Sequence, residues 1–254
     1  MNKKLVLIDL DDTLWDTWSN NKKSLYELYT ALDWGRYFRS FEDYFETYYY
    51  PVNHSLWEQY NEQSVSKAEL SYQRMYRPLA NRYAELKAEG ENSELIATLS
   101  QLIGGERQYW VTADERFMAF IREKTGLCTG ALELMDYLKS KYRVCILSNG
   151  FGEVQYAKVQ HSGLGPYIDE MILSDEVGYN KPNPLIFAYA LERMACTAEE
   201  AIMIGDSWSS DIRGAARAGI DSIWYNRYGL ERPVELGVEP RYEVQSLLEI
   251  RQYL

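Results

Sequence analysis

Leu5-Val6-Leu7-Ile8-Asp9-Leu10-Asp11-Asp12-Thr13-Leu14 is the stretch whose reading decides the fold. A short apolar run ends in carboxylates at Asp9, Asp11 and Asp12. Carboxylates that close repel one another, and an apolar strand gains no stability from them, so a positive partner is called for. The simplest is a divalent cation such as Mg²⁺, which prefers carboxylate and carbonyl oxygens. Side chains at i and i+2 of an extended segment face the same way, which points Asp9 and Asp11 into one space and turns Asp12 aside. Taken alone, the segment also reads as a solvated acidic turn closing a hairpin.

Beyond this strand, residues 15–126 carry few strand signals and many apolar residues at helical spacing, as in 24–32 and along Phe41, Tyr44, Phe45, Tyr48 and Tyr49. Ser66, three residues before Glu69, marks a capping-box helix start. Helical patterns continue over 80–88, 93–102 and 114–123, with breaks at Gly90-Glu91-Asn92 and Gly104-Gly105. The region is far too long for a crossover connection. It reads as an all-helical domain inserted into the first one, dividing the chain into 1–14 with 127–254, and 15–126.

From Leu127 the pattern alternates. Strands at 142–147, 170–173, 201–204 and 222–225, with an edge strand at 242–244, are interleaved with helices at 131–140, 153–162, 185–194 and 211–218. Thr197 to Glu200 is a second capping-box pattern, and a closing helix starts at Ser246. Such alternation predicts an α/β domain: a parallel sheet covered by helices on both sides.

Composition narrows the function. A formal net charge of -11 argues against a general nucleic-acid or membrane-surface binder, since a polyanion would be repelled. The three cysteines (Cys128, Cys145, Cys196) are far apart with no ligand-like spacing, against a disulfide framework or zinc site and in keeping with a reducing cytoplasm. No segment approaches the roughly 18 apolar residues of a membrane span, and the run before Asp9 is too short for a signal peptide. Two histidines, His54 and His161, lack acids or cysteines at useful spacing and read as structural, which argues against a Ser-His-Asp hydrolase.

Each polar cluster falls at the carboxyl end of a predicted strand: Asp9/Asp11, Ser148/Asn149 and Asp206, with Lys181 in a loop on the same side. That edge is where ligands bind in open α/β sheets. Asp9-Leu10-Asp11-Asp12-Thr13-Leu14, Ser148-Asn149-Gly150, Lys181-Pro182 and Gly205-Asp206-Ser207-Trp208-Ser209-Ser210-Asp211 resemble, in order and spacing, the four motifs of the haloacid dehalogenase superfamily. The helical insertion after the first motif is similar to that superfamily's first type of cap. Ser148 to Glu153 and Glu176 to Pro182 resemble the branch containing bacterial pyrimidine 5′-nucleotidases, although the stretch 80–113 is longer than in that branch.

The resemblance implies a Rossmann-like three-layer core and a Mg²⁺-dependent phosphatase acting on small phosphorylated metabolites, a nucleoside 5′-monophosphate being the first candidate. It implies Asp9 as nucleophile and Asp11 as acid and base with a raised pKa. Ser148, with the backbone around Asn149 and Gly150, would bind the phosphoryl group, and Lys181 would neutralise charge. Asp9, the Asp11 carbonyl and Asp206 would hold the metal, with Asp211 orienting Lys181 or a water on the metal. Asp12 stands where the family commonly has glycine; aspartate tolerates unusual turn geometry. An acid at position 11 favours a phosphatase over a dehalogenase, which releases halide and needs no leaving-group acid. A phosphomutase or a non-catalytic phospho-ligand binder are the other readings. In the cap, Tyr48, Tyr49, Tyr50, Trp57, Tyr60, Tyr72 and Tyr76 read as core between helices before a nucleobase platform, and Arg74 and Arg77 as candidate substrate contacts. The oligomeric state is not legible.

Overall fold

The computed structural model describes residues 3–90 and 93–254. Within it the chain forms two compact units: residues up to Asn20 together with Arg122–Leu254, and Asn21–Ile121. The boundaries lie slightly inside the 15–126 limits expected from sequence, because both chain crossings are stitched into the first unit. Asp16 N donates to Gly126 O at 3.1 Å, Asn20 Nδ2 to the same oxygen at 2.8 Å, and Cys128 N to Leu14 O at 2.8 Å. Asn92 and Glu91, part of a predicted break, fall outside the described residues.

The first unit holds a six-stranded parallel sheet: β1 (Leu5–Ile8), β2 (Arg143–Ser148), β3 (Glu170–Leu173), β4 (Ala201–Gly205), β5 (Asp221–Tyr225) and β6 (Tyr242–Val244). The order is β3-β2-β1-β4-β5-β6, with Leu7 of β1 opposite Cys145 of β2 and Met203 of β4. β1 is apolar at every position because both of its faces are covered, as parallel strands require. The chain adds β2 and β3 on one side of β1, then returns to its other side for β4, β5 and β6. The order therefore reverses at β1, and the carboxyl ends of β1, β2 and β4 adjoin the crevice where α/β sheets bind ligands.

The helices are α1 (Thr17–Ala31), α2 (Tyr50–Asn61), α3 (Lys67–Glu89), α4 (Ser93–Ile103), α5 (Arg107–Arg122), α6 (Ala131–Lys139), α7 (Gly152–His161), α8 (Pro184–Arg193) and α9 (Arg213–Arg217). One sheet face packs Leu5, Leu7, Cys145 and Met203 against Ile186, Phe187 and Ala190 of α8 and Ala215 of α9. α6 buries Leu134, Met135 and Leu138 and contacts β2. The fold is the Rossmann-like α/β core that the sequence predicts. Among the described residues, no helix is long and apolar enough to cross a membrane.

Two local departures have physical causes. Trp208–Ile212, which overlaps the start of the helix expected over 211–218, is π-helical. The amides of Asp211 and Ile212 both reach Ser207 O, at 2.9 and 3.3 Å, and this wide turn lets Asp211 Oδ2 accept from Ser207 N at 3.1 Å. The closing helix is a 3₁₀ segment, Leu247–Gln252, capped by Ser246.

The second unit is helical throughout its regular structure. Ser66 caps α3 by accepting from Glu69 N, while the Glu69 carboxylate goes to Gln73 and Arg107 rather than closing a capping box. The patterns read separately on either side of Pro78 are one continuous helix, supported by a buried stripe of Leu70, Met75, Leu79 and Leu86. Phe41, Tyr44, Phe45, Tyr48 and Tyr49 are all buried, as their spacing predicts. Tyr44–Tyr49 is nevertheless π-helical, directly upstream of Pro51, which has no N–H to continue an α-helical ladder. Arg74 is not available as a surface contact: it is buried, paired with Asp114 and lies over the Phe117 ring. Tyr60 is also buried, Tyr72 stacks on Tyr76, and Arg77 donates to Gln73.

Candidate active site

Asp9 leaves the end of β1 with its side chain almost fully buried. Its Oδ1 accepts from Lys181 Nζ at 2.6 Å, and the same ammonium donates to Asp211 Oδ1 at 2.7 Å. Lys181 is 2% exposed and Asp211 1%, so this contact is made out of water. Carboxylate oxygens of Asp9, Asp206 and Asp211 lie within 4.8 Å of one another. Three acids thus face one ammonium. Burial pushes Asp9 up to about 7, with Lys181 opposing and Asp211 and Asp11 adding to the rise. Burial, then repulsion from Asp9 and Asp211, pushes Asp206 well above the carboxylate range. Burial disfavours the charged form of Lys181, but Asp211 and Asp9 outweigh it and hold the ammonium. An excess of buried carboxylate oxygen is the donor chemistry of a hard divalent cation, so the residues present fit Mg²⁺.

This charge excess has a measurable consequence. Asp9 ionises near 3.8 when unfolded and near 7 in the fold, so between those values the folded state holds a proton that the unfolded state has released. Its contribution to stability therefore declines as pH rises through that window. Asp206, and Asp12 at about 6, shift in the same direction. A cation that replaces those protons stabilises most where they have been lost. The rise in Tm on adding Mg²⁺ is expected to be clearly larger at about pH 7.5 than at about pH 5; equal rises in a thermal scan would count against a cation among these acids.

Asp11 sits differently. Its Oδ1 accepts from Lys158 Nζ at 2.5 Å and Thr17 Oγ1 at 2.8 Å, and its Oδ2 from Gln155 Nε2 at 2.6 Å. Burial would raise its pKa, but the Lys158 ammonium and these hydrogen bonds outweigh burial and hold it below the usual range. The expectation of a raised Asp11 is overturned, because α7 supplies a cation that the motif spacing does not show. Of the two, the raised carboxyl is Asp9.

The phosphoryl-binding candidates converge at the end of β2. Ser148 Oγ accepts from Gln155 Nε2 at 2.7 Å and Gly150 N at 3.1 Å, which leaves its own proton to donate. The Asn149 side chain clamps the backbone of Lys181, accepting from its N–H at 2.8 Å and donating to its carbonyl at 2.9 Å. Two glycines are required by crowding: a Cβ on Gly150 would lie 2.1 Å from Gln155 Nε2, and one on Gly205 2.1 Å from Asp211 Oδ2. Asp12 adopts φ 59°, the left-handed geometry that explains a glycine preference there, and its carboxylate accepts from Trp18 N near the start of α1.

Gln155, Lys158 and Thr17 escaped the motif reading, and Thr13 stood in the first motif without a role. Thr13 Oγ1 donates to Asp206 Oδ1 at 3.2 Å and accepts from Asp206 N at 3.1 Å. Gln155 and Lys158 carried one legible signal: they stand i, i+3 from each other and i, i+4 from the apolar Val159 and Val154 of α7. His161 contacts the Arg122 carbonyl, and Trp208 packs edge-on against Trp224.

A parallel sheet with buried acids and a lysine gathered at its switch point defines the class as an α/β fold with a ligand site at the carboxyl ends of its strands. The chain belongs to the haloacid dehalogenase-like hydrolase family, whose profile matches residues 3–219. It is 28% identical to pyrimidine 5′-nucleotidase PynA of Streptococcus pneumoniae over 97% of this chain and 93% of that protein. It is 36% identical to pyrimidine 5′-nucleotidase YjjG of Escherichia coli over 54% of this chain, spanning 61% of YjjG. The magnesium-bound crystal structure of YfnB of Bacillus subtilis superposes with a TM-score of 0.78 at 26% identity, covering 99% of this chain and 98% of that one.

Proposed function

We propose that this protein is a Mg²⁺-dependent phosphatase that hydrolyses small phosphomonoesters through an aspartyl-phosphate on Asp9, with a nucleoside 5′-monophosphate as first candidate. The observation that carries the reading is the second acid, Asp11, two residues from an Asp9 that Lys181 holds at 2.6 Å. The names of PynA and YjjG support the nucleotide, and the magnesium in YfnB supports the cation.

Asp9, the carbonyl of Asp11 and Asp206 would hold the Mg²⁺, which when bound neutralises charge on the phosphoryl oxygens. Ser148 and the Lys181 ammonium bind the phosphoryl group and favour charge developing on it. Asp9 attacks phosphorus in line, the ester P–O bond breaks, and the departing alkoxide takes a proton from Asp11. Water then attacks the same phosphorus and gives its proton to the Asp11 carboxylate. The bond to Asp9 breaks, and phosphate leaves. The free protein presents Asp11 as the carboxylate that the second step uses; an incoming phosphate dianion raises its proton affinity for the first. Phosphate release should be assayed over a panel of nucleotides and sugar phosphates, with and without EDTA. EDTA is expected to abolish release. Full activity in EDTA would overturn the reading, and isomerised substrate without released phosphate would indicate a phosphomutase.

A further inference from the structure

We propose that Lys158 and Gln155 of α7 are positioning residues that fix the Asp11 carboxylate for the hydrolytic half of the reaction. This rests on the proposed role of Asp11 as proton carrier. The geometry is that of a clamp. Lys158 reaches Asp11 Oδ1 at 2.5 Å, and Gln155 reaches Oδ2 at 2.6 Å, so each carboxylate oxygen is gripped from the same helix. The i, i+3 spacing puts both donors on one side of α7.

The clamp is itself held. Lys158 is 6% exposed, and its ammonium lies over the Trp15 ring at 4.2 Å from the centroid, which limits the orientations of a flexible side chain. Gln155 is fully buried, and the same Nε2 that serves Asp11 also donates to Ser148 Oγ at 2.7 Å. One amide nitrogen thereby sets the separation between the proton-carrying carboxylate and the hydroxyl that grips the phosphoryl group. The space beside it exists only because residue 150 is glycine: a Cβ there would overlap Nε2 at 2.1 Å. A lysine and a glutamine buried on a helix whose other buried neighbours include Val154 and Val159 are costly unless paired, and their partners are the two site residues. Asp11 is placed to take a proton from a water attacking phosphorus only while it faces the phosphoryl site held by Ser148.

The test uses p-nitrophenyl phosphate with Mg²⁺ in stopped flow, because nitrophenolate leaves without an acid and isolates the second step. Asp11→Asn is expected to release about one equivalent of nitrophenolate per site in a burst and then turn over slowly, as an arrested aspartyl-phosphate requires. Lys158→Met and Gln155→Leu are expected to show the same burst followed by a steady state lowered about 10- to 100-fold in kcat, the range found for partners that orient a functional group, with KM falling in parallel because slowing the second step lowers both and leaves kcat/KM little changed. Lys158→Arg should restore much of the steady state. The burst amplitude also counts folded sites, so a misfolded variant reveals itself as missing amplitude, and Lys158→Arg and Gln155→Leu then decide the matter. If Asp11→Asn shows the burst while the α7 variants slow both phases equally, change only KM or change nothing, this inference is overturned and the proposed function stands. If Asp11→Asn shows no burst or turns over normally, the proton-carrier reading falls and this inference with it.

Discussion

Asp9→Asn is expected to lower phosphate release by on the order of 10⁴-fold or more, because removing the nucleophile from a set of groups that act together removes nearly all of their joint effect. The substitution is close to isosteric at a buried position, so a folding defect would not account for the loss. Asn keeps an oxygen for the Lys181 ammonium, which donates to Asp9 Oδ1 at 2.6 Å. It also removes one of three crowded acids, so the variant should melt no lower than the parent in EDTA near neutral pH. Two measurements check this: phosphate release at saturating substrate, and Tm by thermal scan. Activity close to the parent level would remove Asp9 as nucleophile.

Lys181→Met is expected to cost both activity and stability. The ammonium is the cation bonded to both Asp9 and Asp211, and all three side chains are almost fully buried. Taking away one side of a buried ion pair leaves the other uncompensated, at a cost of about 3–5 kcal/mol. The pH dependence has a definite sign. Lys181 binds its proton more tightly in the fold than its ordinary 10.5, so its contribution is fully present below that value and is lost only as pH rises through the folded value. Asp9 takes up its proton below about 7, which relieves the stranded negative charge. Chemical denaturation should therefore show a larger loss at about pH 8 than at about pH 5. A loss of the same size at both would mean that shape, not charge, is what Lys181 supplies. Asn149 makes the same point from the backbone side, since its amide holds the main chain of Lys181 in two hydrogen bonds.

The legible part of the site was local. A run such as Leu5 to Ile8 declares a strand buried on both faces, and the acid that ends it must lie at the sheet's carboxyl edge wherever that strand is placed. The same logic located Ser148 at the end of β2 and Asp206 just after β4. Helix starts were readable for a related reason: Ser66, Thr197 and Ser246 each accept from a backbone amide two or three residues on. The Arg74 reading failed where local pattern ends. Nothing within a helical turn distinguishes an arginine facing a substrate from one buried against Asp114, forty residues away in sequence.

By itself, then, the sequence determined the parallel α/β core, the rim on which Asp9, Asp11, Ser148, Lys181 and Asp206 meet, and the family, because strand ends and motif order are properties of short segments. Only the tertiary structure decided how those groups are charged. Lys158 and Gln155 stand 147 and 144 residues from Asp11 in sequence, yet they grip its two oxygens and make it the low carboxyl of the pair. Asp9, two residues away on the same turn, is raised to about 7 by burial that one lysine does not fully offset. A pKa is set by the charges and the water within a few ångströms, and packing rather than spacing along the chain determines both.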